Sequence, residues 1–364
     1  MRIGDVYAER SERGAEDMEL LSVTMNDGVK MRSDIEGKDN SSEDKSNYKI
    51  VRAGDMVYNS MRMWQGANGI SPWDGIVSPA YTVLKPRMPI SNGFFAALFK
   101  THRMINEFRK NSQGMTSDTW NLKYPQIETI KACIPALAEQ EKIADFLMAL
   151  DQRIEKQRSL VEHLKKYKRG FLRESFSKQN GWDVLPISSI GKVVTGSTPP
   201  TDNPENYGGN KLFCAPSDVG TEKYITSTIK RVSEKGFYTG RIVPKGTIII
   251  TCIGLIGKLG IAMQDMITNK QINSLIVAPS FDNEFIYYAL EYALPRYAAQ
   301  ASMQTMPILS KSEFEKITLQ IPDIKKQKEI SQPLALLDRK IATQTLVLEN
   351  LIALKNGLLQ KLFI

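Results

Sequence analysis

One segment of the 364-residue chain occurs twice. The stretch IPALAEQEKIADFLMALDQRIEKQ begins at Ile134, and IPDIKKQKEISQPLALLDRKIATQ begins at Ile321. At this offset of 187 residues (321 − 134), residues 134–176 match residues 321–363 without a gap. An ungapped match of this length predicts a single periodic element in each copy, because an insertion would rotate its faces.

The period within each copy is helical. Apolar residues, with one Gln in each copy, recur in alternating steps of four and three, which is the heptad seam of a coiled coil. Each copy is therefore predicted to form a helix of about 38 residues, or roughly 57 Å at 1.5 Å per residue. The seam positions are Ile143, Leu147, Leu150, Ile154, Gln157, Val161 and Leu164, then Ile330, Leu334, Leu337, Ile341, Gln344, Leu348 and Leu351.

A long helix with so narrow an apolar stripe needs a partner. Each helix could pack on its own globular segment, or the two copies could pack on each other as a coiled coil, which we favour. Two-fold symmetry between the copies predicts an antiparallel coiled coil in which Gln157 and Gln344 meet near the crossing. Pro333 replaces Phe146 in the second copy, so we expect a kink or a new helix start capped by Ser331.

The segments before the two helices indicate a mixed α/β or α+β fold. Strand-like runs followed by helical stretches occur in both halves, at 54–60, 75–86 and 92–112, and at 246–254, 266–279 and 283–302. The repeat therefore extends through both halves, although the loops between matching landmarks are unlike. The predicted order is globular domain, long helix, globular domain, long helix, at 1–133, 134–178, 179–320 and 321–364.

The composition is that of an ordinary globular protein with a basic excess. Hydrophobic residues make up 42% of the chain, and the net charge of +8 is compatible with a polyanionic partner such as nucleic acid. No apolar run approaches the roughly 18 residues that cross a bilayer, and the N-terminus lacks an apolar signal core. We therefore expect a cytoplasmic protein. Cys133, Cys214 and Cys252 are far apart and form no disulfide or metal pattern.

Sequence signals for catalysis are weak. GLIGKLG at 254–260 differs from a phosphate-binding loop, because Cys252 holds the first Gly position and no Ser or Thr follows Lys258. The Glu-x-Lys of DIEGK at 34–38 lies in a polar run typical of a solvated loop. The chain has only two histidines and no Asn/Asp-Pro-Pro-Tyr/Phe tetrapeptide. We expect neither a catalytic residue nor a metal site.

Several stretches carry a family resemblance that covers nearly the whole chain. They are the IP-x-L-x-E-Q-x-K-I-A entry at 134–144 with its echo at 321–331, GWDVLPISSIGKVVTGSTPPT from Gly181, ENYGGNKLFCAPSDV at 205–219, and GDMVYNSMRMWQGANGIS with GIVSPAYTVLKP in the first half. Together and in this order they resemble the DNA specificity (S) subunit of type I restriction–modification systems. The first half departs from the pattern in lacking the Trp-led opening found at Trp182.

The resemblance implies two target-recognition domains, each reading one half of a bipartite site in double-stranded DNA. It also implies that the long helices set the spacer length and dock two modification subunits. Those subunits would carry S-adenosylmethionine, and restriction subunits would carry ATP hydrolysis, Mg²⁺ and cleavage, so no cofactor is expected in this chain. The alternatives are a coiled-coil interaction scaffold that binds no DNA and, less favoured, a fused enzyme.

Residues that contact DNA are expected in the polar loops between scaffold elements. Long polar and basic side chains can read base edges or bind phosphates there, and Trp64 could either stack on a base or belong to the core. The first-domain candidates are Asn59, Ser60, Arg62, Trp64, Gln65, Thr116, Ser117 and Lys123. The second-domain candidates are Thr195, Ser197, Thr198, Lys258, Lys270, Gln271, Asn273, Gln304 and Thr305.

Overall fold

The chain divides into two compact units that do not follow the order of the sequence. The first unit comprises Met1–Arg158 and Leu346–Ile364, and the second comprises Ser159–Thr345. Each unit therefore combines one globular segment with parts of both long helices. The structure is a computed structural model that describes residues 1–14, 17–25, 28–37, 41–116, 119–177, 181–220, 222–301 and 308–363.

The globular part of the first unit is an antiparallel sheet covered by short helices. Its elements are α1 (Ile3–Val6), β1 (Tyr7–Glu9), β2 (Leu21–Thr24), β3 (Gly28–Met31), β4 (Lys49–Val51), β5 (Met56–Asn59), β6 (Asn68–Ile70), β7 (Gly75–Val77), β8 (Tyr81–Pro86), α2 (Asn92–Leu98), α3 (His102–Asn111) and α4 (Tyr124–Ile127). The main sheet has the order β1-β8-β5-β6. Phe94, Phe95 and Phe99 lie in the core that contains residues of this sheet.

The globular part of the second unit repeats this plan and enlarges it. Its elements are β9 (Asp183–Pro186), α6 (Ile187–Ile190), β10 (Gly191–Thr195), β11 (Tyr207–Cys214), β12 (Tyr224–Ile225), β13 (Lys230–Val232), α7 (Glu234–Thr239), β14 (Ile242–Val243), β15 (Ile248–Thr251), β16 (Leu259–Ala262), β17 (Met266–Thr268), β18 (Ile272–Val277), α8 (Asn283–Ala301), α9 (Lys311–Lys316) and β19 (Thr318–Ile321). The main sheet has the order β10-β18-β15-β16-β12. Its first four strands match the first unit's order, β1-β8-β5-β6.

The predicted strand and helix positions agree with these elements, with one difference. Residues 54–60 and 246–254 contain β5 and β15, and α8 covers nearly all of 283–302. The stretch predicted as one helix at 92–112 is instead divided into α2 and α3. The Thr101 side chain accepts a hydrogen bond from the Met104 amide and starts α3, so a local cap interrupts an otherwise helical pattern.

The two copies of the repeat form the long helices α5 (Leu137–Phe176) and α10 (Ile324–Leu362). Every seam position is buried or half-buried, whereas Arg153 and Lys156 are exposed. The expected helix start at Ser331 is wrong, because α10 continues through Pro333. Proline has no backbone N–H, so Pro333 cannot donate to the Glu329 carbonyl as another residue in the helix would. Pro333 and Glu329 are both exposed. Water can therefore satisfy that carbonyl.

Within each unit the two helices run antiparallel. In the first unit Asp151 of α5 forms an ion pair with Lys355 of α10. In the second unit Lys168 of α5 lies 2.7 Å from Asp338 of α10. At the offset of 187 residues, Asp151 corresponds to Asp338 and Lys168 to Lys355. The two ion pairs are therefore equivalent under a pseudo-two-fold repeat, and each joins an Asp of one copy to a Lys of the other.

The polar seam residues Gln157 and Gln344 belong to different units. Gln157 lies in the first unit and Gln344 in the second, and each is half-buried. Their meeting at the crossing stays a prediction. Across the described ranges, no helix combines the length and the apolar character that spanning a bilayer requires.

The entry to each long helix is held by a buried glutamine. Gln140 accepts a hydrogen bond from the Ser91 amide at 3.0 Å and donates to the Pro135 carbonyl at 2.9 Å. Gln327, its equivalent, accepts from the Asp282 amide and donates to the Pro322 carbonyl, each at 2.8 Å. Because each glutamine amide makes the same two bonds in both copies, the Ile-Pro and Gln of the repeat must keep their spacing.

Replacement of Gln327 by Leu should leave the Asp282 amide and the Pro322 carbonyl without their partner. A buried polar group that loses its partner costs roughly 1–3 kcal/mol, so the free energy of unfolding should fall by that amount. Urea denaturation of the full chain measures the change. Gln320→Leu is the control because Gln320 is exposed, and equal losses in both variants would contradict the assigned role.

Candidate nucleic-acid interface

In the first unit, a loop of polar and aromatic residues leaves one edge of the sheet. It begins after Asn59, the last residue of β5, which lies opposite Tyr81 at the start of β8. Residues Met63–Gln65 form a 3-10 turn, which Gly66 closes in the left-handed region at φ +86°. Glycine adopts this conformation without the steric cost that other residues incur. The loop therefore turns back towards β6 within a few residues.

A second loop of this unit is held against the first. The Leu122 amide donates to the Ser60 carbonyl at 2.8 Å. The rings of Trp120 and Trp64 meet edge to face, with centroids 5.2 Å apart. The Arg109 guanidinium lies 5.4 Å from the Trp120 ring centroid. These contacts bring together the two loops that the sequence indicated separately, at 59–65 and 113–123.

The first-unit candidates differ in their exposure. Arg62, Thr116 and Lys123 are exposed, whereas Trp64 and Gln65 are half-buried. Thus Trp64 is neither a core residue nor a free ring, and its indole N–H donates to the Met61 carbonyl at 3.1 Å.

Two other first-unit candidates serve the scaffold. Asn59 is half-buried and caps the turn through the Met61 amide at 3.0 Å. Ser60 is 5% exposed, and its hydroxyl lies 2.8 Å from that of Thr82. Ser117 lies outside the described residues.

The second unit presents the corresponding edge of its sheet. Thr195 at the end of β10 lies opposite Asn273, and Thr251 at the end of β15 lies opposite Ile272. The segment GLIGKLG follows β15 as a tight turn, with Gly254 and Gly257 at φ +74° and +89°. The Thr251 hydroxyl donates to the Leu255 carbonyl inside that turn. The glycine-rich segment therefore forms a turn between β15 and β16.

A close backbone contact places a second segment at this edge. A Cβ on Gly196 would lie 2.1 Å from the Asn269 carbonyl oxygen, so only glycine fits. Arg241 supports the same segment, since its amide donates to the Ser197 hydroxyl at 2.8 Å and its guanidinium donates to the Thr195 carbonyl at 3.0 Å. Residues 195–198 therefore lie beside the loop that carries Lys270.

The second-unit candidates also divide into exposed and internal residues. Lys258, Lys270 and Gln271 are exposed, whereas Thr195, Ser197 and Thr198 are half-buried. Asn273 is 2% exposed; its carbonyl oxygen accepts from Thr195 at 2.8 Å, and its amide donates to the Leu309 carbonyl at 3.3 Å. Both polar ends of Asn273 are thus engaged inside the domain, so it positions β10 against β18. Gln304 and Thr305 lie outside the described residues.

Three residues of these edges were missed by the sequence analysis. Trp120 and Arg109 connect the first-unit loops, and Arg241 braces the second-unit edge. A tryptophan in the middle of a polar loop was the available signal for Trp120. Nothing local marked Arg109 or Arg241, because their roles depend on which loops the fold brings together.

The thiol beside the second edge is unsuited to nucleophilic chemistry. Burial raises the pKa of Cys252 to about 11, so the thiol stays protonated near neutral pH. In the part of the chain that the structure describes, no three His, Cys, Asp or Glu side chains cluster as metal ligands would.

Comparison with known protein families accounts for both halves of the chain. Residues 25–163 and 179–352 match the family model described as the type I restriction modification DNA specificity domain. The chain belongs to this family. Because the family model matches twice, the repeat in the sequence is a repeat of the family's own unit.

Several curated relatives are specificity subunits of type I restriction enzymes. The MjaIX specificity subunit of Methanocaldococcus jannaschii is 31% identical over 163 residues, which cover 43% of this chain and 38% of the relative. The HindI specificity subunit of Haemophilus influenzae is 30% identical over 147 residues, which cover 39% of this chain and 32% of the relative. The chain thus matches only about a third of the length of each of these relatives.

Solved structures share the fold along the whole chain. A type I restriction–modification S subunit from M. genitalium superimposes with a TM-score of 0.65 at 16% identity, covering 100% of this chain and 95% of that one. A chain from a study of the assembly and conformational transition of a type I restriction–modification system gives 0.62 at 17% identity, covering 100% and 96%. At these identities the likeness establishes the two-domain, coiled-coil fold.

Replacement of Trp120 by Ala should separate the two loops of the first unit. An aromatic pair contributes about 0.5–1.5 kcal/mol beyond its buried area, so the global melting temperature should change little. We expect faster amide hydrogen exchange at Leu122 and through residues 59–66. Trp73→Ala, which removes a ring that is 37% exposed, is the control. Unchanged exchange at Leu122 in Trp120→Ala would contradict the assigned contact.

Proposed function

We propose that this chain is the sequence-specific DNA-recognition subunit of a type I restriction–modification complex. Each globular segment reads one half of a bipartite site in double-stranded DNA. One observation carries the proposal. The two sheets share the order of four strands, and the loops that leave the same strand ends in both sheets have unlike sequences. A shared frame with different loops suits two modules that do the same task on different sequences.

The side chains at these edges have the chemistry that DNA recognition needs. Arg62 and Gln65 can each form paired hydrogen bonds with a base edge, Arg with guanine and Gln with adenine. Lys258 and Lys270 in the second unit are exposed, and their ammonium groups can bind phosphates. Phosphate contacts position the protein and base contacts select the sequence. The net charge of +8 favours approach to DNA.

The chain acts in this proposal without its own catalysis. Its named relatives are specificity subunits, and burial keeps the Cys252 thiol protonated near neutral pH. Two modification subunits would supply S-adenosylmethionine and methyl transfer. Restriction subunits would supply ATP hydrolysis, Mg²⁺ and DNA cleavage. The long helices set the spacer between the half-sites and dock the modification subunits.

Exposed apolar side chains at equivalent positions of the long helices, here called the two patches, support docking of two copies of one partner. In the second unit, Tyr167 and Leu336, each 63% exposed, line one surface groove with Pro333. In the first unit, Phe146 and Leu354 are 51% and 53% exposed. At the offset of 187 residues, Phe146 corresponds to Pro333 and Leu354 to Tyr167. A surface that occurs twice suits two identical partners.

Exchange of residues 1–133 with the same segment of another family member should change only one half of the methylated site. The reason is that each set of loops reads its own half-site. Mapping of the bases that the assembled complex methylates measures the result. A change in both halves, or in neither, would contradict the assignment of one half-site to each domain.

DNA retention at graded salt tests the proposal more generally. Binding should weaken steeply with salt, because each phosphate contact releases counterions. Lys270→Ala should weaken binding to all sequences and reduce the slope of the logarithm of the binding constant against the logarithm of the salt concentration by about 1. Arg62→Ala should instead relax the sequence preference at one position. Lys110→Ala, on the exposed side of α3, is the control. If the assembled complex binds no DNA, the chain is a scaffold and the proposal fails.

Charge introduced into the two patches should reduce the number of bound modification subunits. Tyr167→Glu or Leu354→Glu alone should leave one copy bound, and the double variant should bind none, because burying an unpaired carboxylate is costly. Native mass spectrometry counts the copies. Leu160→Glu, on α5 at an exposed position outside the patches, is the matched control. Two bound copies on the double variant would exclude these surfaces.

A further inference from the structure

The second unit contains a buried network of charges between its helices. Asp338 of α10 accepts a hydrogen bond from the Tyr288 hydroxyl of α8 at 2.6 Å and lies 2.7 Å from Lys168 of α5. Lys168 also pairs with Glu291 of α8 at 3.0 Å. The side chains of Lys168 and Asp338 are only 13% and 17% exposed. Three helices are therefore joined through one carboxylate and one ammonium group.

The sheet joins the same network through a second lysine. Lys223, whose side chain is 8% exposed, forms an ion pair with Glu284 and donates to the Tyr288 hydroxyl at 2.6 Å. Its ammonium nitrogen lies 4.1 Å from the ring centroid of Tyr288. The Lys223 carbonyl accepts from the Ile261 amide of β16 at 2.7 Å. The network thus runs from the recognition sheet through α8 to both long helices.

The carboxylates of the network stabilise the charge of Lys168. Burial acts against the charge of Lys168, but the carboxylates of Glu291 and Asp338 outweigh it and raise the pKa of this lysine above its ordinary value. Burial first, and then the nearby carboxylates, raises the pKa of Tyr288, which keeps its hydroxyl as a donor. A buried ion pair that loses one partner leaves an uncompensated charge, and this is strongly destabilising.

The helices α2 and α8 begin in the same way in the two units, but the next residue differs. Asn92 and Asn283 begin α2 and α8 and make the same bond, to the Gly54 carbonyl at 3.0 Å and the Gly246 carbonyl at 2.9 Å. The residue after Asn92 is Gly93, where the second unit has Glu284.

At Gly93, small residues take the place of the charges. A Cβ on Gly93 would lie 3.0 Å from the Ala144 Cβ of α5. The first unit's ion pair is also more open, since the side chains of Lys355 and Asp151 are 28% and 52% exposed. At Gly93 the first domain thus approaches α5 through small residues, where the second unit has the carboxylate of Glu284.

We propose that the charge clamp, defined as Lys168, Lys223, Glu284, Tyr288, Glu291 and Asp338, fixes the angle at which the second recognition sheet sits on its helix pair. Asp338 is then a positioning residue for spacer-length specificity, although it does not touch DNA. Hydrogen-bonded charges have a narrow range of favourable geometry, so the clamp resists rocking of the sheet. The proposal rests on the proposed function, because it assumes that the sheet edge reads a half-site.

The test compares Asp338→Asn with Asp151→Asn, its equivalent in the first unit. The assembled complex is titrated with duplexes that carry its own two half-sites at the native spacing, or with one base pair added or removed. Wild type should favour the native spacing. Asp338→Asn should reduce that preference roughly tenfold, which corresponds to about 1.4 kcal/mol, while keeping the sequence preference within each half-site. Asp151→Asn should keep the wild-type preference.

Three results would overturn the clamp: an unchanged spacer preference in Asp338→Asn, an equal loss in Asp151→Asn, or a loss of sequence preference in the second half-site. If Asp338→Asn does not fold, Tyr288→Phe is the variant to test instead, because it removes only a hydroxyl. It should reduce the spacer preference roughly threefold. Wild-type preference in a folded Tyr288→Phe would then refute the clamp. If wild type itself binds no bipartite site, the proposed function fails instead.

Discussion

The pairing of the two helix copies is the interaction on which each unit depends. A helix with a narrow heptad stripe is marginal in water unless a second helix covers the stripe. The chain also uses the helix ends to complete its cores: Phe363 packs on Phe94 with centroids 5.1 Å apart, and Phe176 packs on Phe285 at 5.2 Å. The first domain's core is therefore finished by the second copy, from the far end of the sequence.

This arrangement separates what must be kept from what can vary. The buried glutamines that tie each domain to its long helix make the same bonds in both units, and so do the half-buried asparagines that tie α2 and α8 to the turn before β5 and β15. They fix the sheet and the direction of its loop-bearing edge. The loops contribute little to those contacts, so their residues can change without loss of the frame. Under the proposed function, two half-sites with unrelated sequences can then be read by domains of one design.

Periodicity and repetition predicted the long helices, the strand positions and the equivalence of the halves, because those features follow from local pattern. The sequence did not reveal the contact between Trp64 and Trp120, which depends on two loops meeting in three dimensions. It also named Asn273 as a candidate DNA contact, because a polar side chain of this type can read a base edge. The fold instead pairs it with Thr195 inside the sheet. Pro333 shows the converse, since exposure allows a helix to keep a residue that propensity disfavours.

The difference between the two attachments has a physical consequence for how each sheet is oriented on its helices. Small residues in van der Waals contact define how closely two elements approach, but dispersion between them is weakly directional. A network of short hydrogen bonds to charged groups also defines direction, and its members cannot move apart without leaving a buried charge unpaired. Apolar side chains of similar volume could hold the second domain as firmly, so the retention of five buried or half-buried charges around Tyr288 is better explained by orientation than by stability.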